Sequence, residues 1–199
     1  MASTSLLARV LLALGCLASV ATVHAADVAT TAFPIADGSL SLEAPEGFER
    51  VQPKSGMIEA EFAVPSEGEQ PVGRMTVMGA GGSIEANIER WCGQFIQPEG
   101  GLTKDKMTRK SLKVAGCNVT IVDIPGTYLD QPGGPFAGGP TVKRPGYRML
   151  AAIVETPKDA EGQSSNGNYF LKFYGPAATV ERHAAGFQKM IEGMVPADR

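Results

Sequence analysis

Histidine is nearly missing from this chain. Two occur in 199 residues, His24 and His183. A Ser-His-Asp or Cys-His catalytic set needs an imidazole as its base, so an enzyme of either kind would rest on one of these two. Cysteine is scarce as well, with Cys16, Cys92 and Cys117. A zinc site built from His and Cys needs about four ligands, and so few candidates argue against one. No EF-hand spacing is present, so the acids do not mark a calcium loop. The chain has one tryptophan, Trp91. Neither sign of charge dominates: 18 Lys and Arg face 21 Asp and Glu, a net of −3. That mildly acidic balance without a long basic stretch excludes nucleic acid as the expected partner. The densest basic run, KDKMTRKSLK at 104–113, has the alternation of a strand's wet face.

Long apolar runs are absent too. The longest, Val10–Val23, falls short of the roughly 18–20 residues a spanning helix needs, so no stable membrane span is expected. It follows Arg9 and precedes the small-residue exit Val23-His24-Ala25, the order of a secretory signal peptide. Residues 1–25 are therefore read as a signal peptide cleaved after Ala25. The chain that remains is extracytoplasmic, periplasmic or secreted. Cys16 offers lipidation as the alternative, although Ala13 stands where a lipid-attachment box carries Leu. His24 leaves with the signal, so His183 is the one histidine left. Cys92 and Cys117 become an even pair in an oxidising compartment. They are a disulfide candidate, or else two separate buried thiols.

Residues 26–38 lack a period and read as a flexible leader. Residues 39–199 read as a single domain. SLSLEAP alternates as a first strand. In MIEAEFAVP, Ile58, Ala60, Phe62 and Val64 share one side, with Glu59 and Glu61 on the other. GRMTVMG follows as a hairpin partner that sets Arg74 or Thr76 across from those glutamates. Gly79 to Gly82 then open a helix, SIEANIERWCGQFI, whose Ile84, Ile88, Trp91, Cys92 and Phe95 form an apolar stripe. TRKSLKV and CNVTIVDIPGTYL flank an Ala115-Gly116 turn. The stretch Asp130–Gly146 is rich in Gly and Pro and reads as a loop. YRMLAAIVET and NYFLKFYG are two further strands. A last helix follows Pro176, with Val180, Ala184, Phe187, Ile191 and Met194 inward. This order predicts an α+β fold, an antiparallel sheet with two main helices packed on it.

The segment GGSIEANIERWCGQF, with SGMIEAEFAVP before it and LAAIVET after it, resembles a group of small secreted proteins of environmental bacteria whose function is not established. The order of elements resembles the PsbP-like fold, a sheet sandwiched by helices. That resemblance implies a binding or assembly module rather than an enzyme. It assigns no functional residue here.

The sequence offers few sites. Gly81, Gly82 and Ser83 at a helix start could present backbone N–H groups to an anion. Tight-turn geometry is the competing reading, since the phosphate-loop lysine is missing. Glu59 and Glu61 read as a solvated strand face before a paired-acid site. Trp91 reads as core before ligand platform. Phe136, Lys143 and Arg144, in the Asp130–Gly146 loop, form an interaction surface or a plain connector. No catalytic residue, cofactor or metal is assigned. The expected function is a non-catalytic binding or assembly module with an envelope or secreted protein as partner. The alternatives are a small-ligand carrier, or an enzyme using His183 and acidic residues.

Overall fold

The computed structural model describes residues 32–132, 139–156 and 167–197. The chain enters as a hairpin of β1 (Ala32–Ile35) and β2 (Leu40–Glu43). Three strands follow, β3 (Glu49–Val51), β4 (Ala60–Val64) and β5 (Gly73–Ala80). Next come helix α1 (Ile84–Cys92), the short β6 (Phe95–Ile96) and a single turn, α2 (Thr103–Lys106). Strands β7 (Thr108–Val114), β8 (Cys117–Asp130), β9 (Val142–Glu155) and β10 (Asn168–Pro176) complete the large sheet. Helix α3 (Ala177–Glu192) and β11 (Val195–Pro196) end the described chain.

The fold is α+β. Eight strands form one antiparallel sheet in the order β3-β4-β5-β10-β9-β8-β6, with β7 also paired to β8. A small sheet, β1-β2-β11, joins the two ends of the described chain. Because strand side chains alternate, the large sheet buries two different sets of residues. One face carries Phe62, Met75, Val77, Val119, Leu171 and Phe173, which pack with Val180, Phe187 and Ile191 of α3 and with Phe33 and Leu42 of the small sheet. The other carries Val122, Ile124, Met149, Ile153 and Phe170, covered by Ile88, Trp91 and Cys92 of α1 and by Phe95. The β7–β8 hairpin turns on Ala115 and Gly116, both at positive φ, the geometry of a tight two-residue turn.

Several sequence expectations change. The sequence reads as a flexible leader over residues 26–38, yet Ala32–Ile35 is a strand. Phe33 and Ile35 alternate inward on it, and four residues are too few for a period to show. The α1 helix stops at Cys92 because Gly93 caps it, and Phe95 pairs with Tyr128 as strand. The loop expected over Asp130–Gly146 is shorter on both sides. Asp130 pairs with Val142, Leu129 with Lys143 and Tyr128 with Arg144, so backbone hydrogen bonding overrides the glycine and proline content. Residues 1–31, which include the signal peptide and Cys16, lie outside the described residues. Among the described residues, no helix is long and apolar enough to cross a membrane.

Candidate functional site

A nine-residue helix spans about 13 Å, while the nine residues of β10 span about 30 Å. Helix α1 therefore covers one end of its sheet face and leaves the other to side chains. It enters directly after Ala80, which pairs with Asn168 at the start of β10. Its last turn brings Trp91 over the middle of that strand. Beyond it lie Lys172 and Tyr174 of β10, Thr76 and Arg74 opposite them on β5, and Tyr147 and Tyr128 on β9 and β8. Strand alternation puts Lys172 and Tyr174 on the same face as Phe170.

Lys172 is the unusual member. Its Nζ lies 5.8 Å from the Trp91 ring centre and 5.8 Å from that of Tyr174. It donates to Gln94 Oε1 at 3.4 Å, a neutral acceptor. Among the described residues it has no carboxylate within salt-bridge distance. Burial, with the positive charges of Arg90 and Arg74, lowers its pKa from the usual lysine range to about 8. Arg90, exposed on α1, donates from Nη2 to the amide Oδ1 of Asn87 at 2.6 Å. Its recorded partner is thus neutral too. Arg74 differs: it is bound to the carboxylate of Glu61, and its Nη1 donates to the Tyr174 hydroxyl at 2.8 Å.

The tyrosines form the floor beside this cation. Tyr128 stacks on Tyr147 with centroids 6.1 Å apart and planes within 9°. It lies 5.2 Å from Tyr174 and 5.3 Å from Phe95. All three tyrosines are half-buried. Burial pushes the Tyr128 and Tyr147 phenols upward, so both stay protonated near neutral pH. Gly126 allows this row to form. Its φ of 144° marks the irregularity in the β8–β9 register, and a Cβ there would meet the Ile96 carbonyl oxygen at 2.9 Å.

The sites read from sequence fare differently. Cys92 and Cys117 are both buried free thiols. Cys92 packs with α1 on one face of the sheet and Cys117 belongs to the core on the other, so the sheet itself separates them and the proposed disulfide does not form. Burial raises both thiol pKa values. At the glycine turn, Ser83 accepts from the Ala86 N–H as the α1 cap, and Asn87 Nδ2 donates to the carbonyls of Gly81 and Ser83. These contacts, with Gly82 at positive φ, account for the motif as turn geometry. Lys143 and Arg144 sit in β9, where Arg144 pairs with Asp130 at 3.0 Å. Phe136 lies outside the described residues.

Glu61 overturns the solvated reading of the strand acids. It is 1% exposed, while Glu59 stays exposed. Alternation was read correctly, but the face opposite Phe62 is also covered. His183 meets the ring of Phe48 edge-on at 5.6 Å, and burial lowers its pKa. No carboxylate among the described residues is recorded as its partner. An open cleft of about 460 Å³ runs between α3 and the β7–β9 strands. Its charged groups pair with one another or with neighbours: Arg148 holds Asp123 at 2.6 Å and also Glu181, and Arg109 holds Glu85.

Lys172 and the tyrosine row are not legible in the sequence because the group draws on six separate elements, α1, β5, β6, β8, β9 and β10. The only available signal was a lysine inside the apolar run NYFLKFYG. Trp91 joins both readings, being 1% exposed core and also the aromatic wall beside Lys172.

No family model matches this chain, and no curated protein matches it. Solved structures with a similar fold include a protein of unknown function from Pseudomonas aeruginosa. It is 12% identical at a TM-score of 0.44, over 85% of this chain and 99% of that one. Cyanobacterial PsbP from Synechocystis is 9% identical at 0.49, over 92% and 99%. LpqN of Mycobacterium tuberculosis, involved in cell envelope biogenesis, is 10% identical at 0.47, over 86% and 94%. Likeness at this level concerns fold and carries no function.

Proposed function

We propose that this chain is a non-catalytic extracytoplasmic binding module that takes a small aromatic compound on the sheet face beyond α1. The observation that carries the reading is the half-buried row of Tyr128, Tyr147 and Tyr174 beside Lys172 and Trp91. Flat rings at a partly covered margin of the core offer stacking area at little cost in side-chain ordering. The charged cleft at α3 has its main groups paired, and His183 is packed on Phe48, so neither supplies a comparable site. The extracytoplasmic part rests on the apolar segment Val10–Val23 and its small-residue exit.

Thermal-shift measurements with a panel of small aromatic compounds test the binding. Hits should raise the melting temperature of the exported protein. The increase should vanish in Tyr174→Leu and Tyr128→Leu and persist in His183→Ala. Binding that survives both tyrosine changes, or needs His183, would move the site elsewhere. Export is tested by N-terminal sequencing of the secreted protein, which should begin ADVAT. Intact Met1 in a cytoplasmic fraction would overturn the extracytoplasmic assignment.

A further inference from the structure

We infer that the occupant of this face is an anion, an aromatic carboxylate whose charge is taken by Lys172 and Arg90 and whose ring lies against Tyr128 and Tyr174. The inference rests on the binding reading above and names the ligand class. Its first support is a charge count over the face. Lys172 comes from β10, Arg74 from β5 and Arg90 from α1, with Glu61 from β4; beside the tyrosines stand Asp130 from β8 and Arg144 from β9. Both carboxylates are engaged: Glu61 by Arg74 and by the Lys54 backbone N–H at 2.9 Å, and Asp130 by Arg144 at 3.0 Å. Lys172 and Arg90 remain, each held by a side-chain amide oxygen.

The second support is energetic. Lys172 is half-buried, and a cation that loses part of its hydration needs an opposite charge or strong hydrogen bonds to offset the loss. One long contact to Gln94 and two ring faces at 5.8 Å offset only part of it. Methionine or leucine would fill the same space on an otherwise apolar strand without that cost. An incoming carboxylate supplies the missing charge.

The third support is the neighbourhood. Tyr174 touches both halves of the site, as a ring under Lys172 and as the 5.2 Å neighbour of Tyr128. An anion with a flat apolar body engages both at once. A bare inorganic anion engages only the first.

Calorimetric titration of the exported protein with benzoate, benzamide and inorganic phosphate tests this. Benzoate should bind at least tenfold more tightly than benzamide, its neutral isostere, and more tightly than phosphate. Lys172→Met should weaken benzoate at least tenfold and leave benzamide unchanged. Arg90→Gln, on an exposed helix position, should weaken benzoate severalfold with folding intact. Equal binding of benzoate and benzamide, with loss of both in Tyr174→Leu, overturns the anion and leaves the aromatic site standing. Phosphate binding as tightly as benzoate removes the ring. If neither benzoate nor benzamide binds, the assignment falls, and the broader panel then decides whether the aromatic face falls with it. Unchanged benzoate affinity in Lys172→Met makes that lysine a purely structural cation and overturns the inference.

Discussion

Arg74 clasps Glu61 across neighbouring strands, with Nε 2.7 Å from Oε1 and Nη2 3.0 Å from Oε2. The carboxylate is nearly inaccessible and takes a third bond from the Lys54 N–H. Burial alone would raise the Glu61 pKa; the hydrogen bonds and charge of Arg74, with the Lys54 N–H, reverse this and hold it below the ordinary carboxylate value. Glu61→Gln leaves the guanidinium partly buried and unpaired, and should cost about 3–5 kcal/mol in urea melts. Because the folded pKa is lowered, the pair's contribution is complete above the ordinary carboxylate range and lost as pH falls through the folded value. The wild type should lose more stability than Glu61→Gln between neutral pH and the acid limit. Parallel acid profiles would show that the pair is not a source of stability.

Lys172 gives the opposite test at alkaline pH. Its folded pKa is about 8 and its ordinary value 10.5, so the unfolded chain binds more protons between them. Stability then rises with pH over that interval. The buried thiols and tyrosines, whose folded pKa values are raised, act the other way, so the difference from Lys172→Met isolates the lysine. Lys172→Met should melt several degrees higher near pH 7, and the gap should close towards pH 10.5. A gap that stays constant with pH would mean that the amine is well solvated.

Ile88 and Glu89 are adjacent on α1 and opposite in burial, Ile88 being 4% exposed. Ile88→Ala removes a buried side chain from the core cluster that also holds Met149 and Phe170, and should cost about 2–5 kcal/mol. Glu89→Ala should be within about 0.5 kcal/mol of wild type. Similar losses in denaturant melts would mean that α1 does not dock through this stripe.

The two cysteines should behave as inert thiols. Unreduced exported protein should take two alkyl groups after unfolding and almost none while folded, because burial disfavours the reactive thiolate. Mass spectrometry showing no alkylation after unfolding would establish a disulfide and require helix α1 to sit elsewhere.

Local pattern was enough for much of the framework. The alternation in Ala60–Val64 and Gly73–Ala80 placed a hairpin, Ala115-Gly116 placed a turn, and the 3.6 period of α3 gave Val180, Phe187 and Ile191 as its inner face. These features depend on neighbours in the chain, and that is why they could be read there. The same rule put Glu61 opposite Phe62 but could not say whether that face was wet, since the answer depends on which elements cover it.

What the sequence alone determined was therefore periodicity: which residues share a face, where turns fall, and that an antiparallel sheet carries two main helices. The tertiary structure decided the consequences of those faces. It put Cys92 and Cys117 on opposite sides of one sheet, drew Lys143 and Arg144 into a strand, and buried Glu61 under Arg74. It also gathered Lys172, Trp91, Gln94, Tyr128 and Tyr174, which are scattered from residue 91 to residue 174. Strand order sets such long-range pairings, and no period within a strand encodes its neighbours.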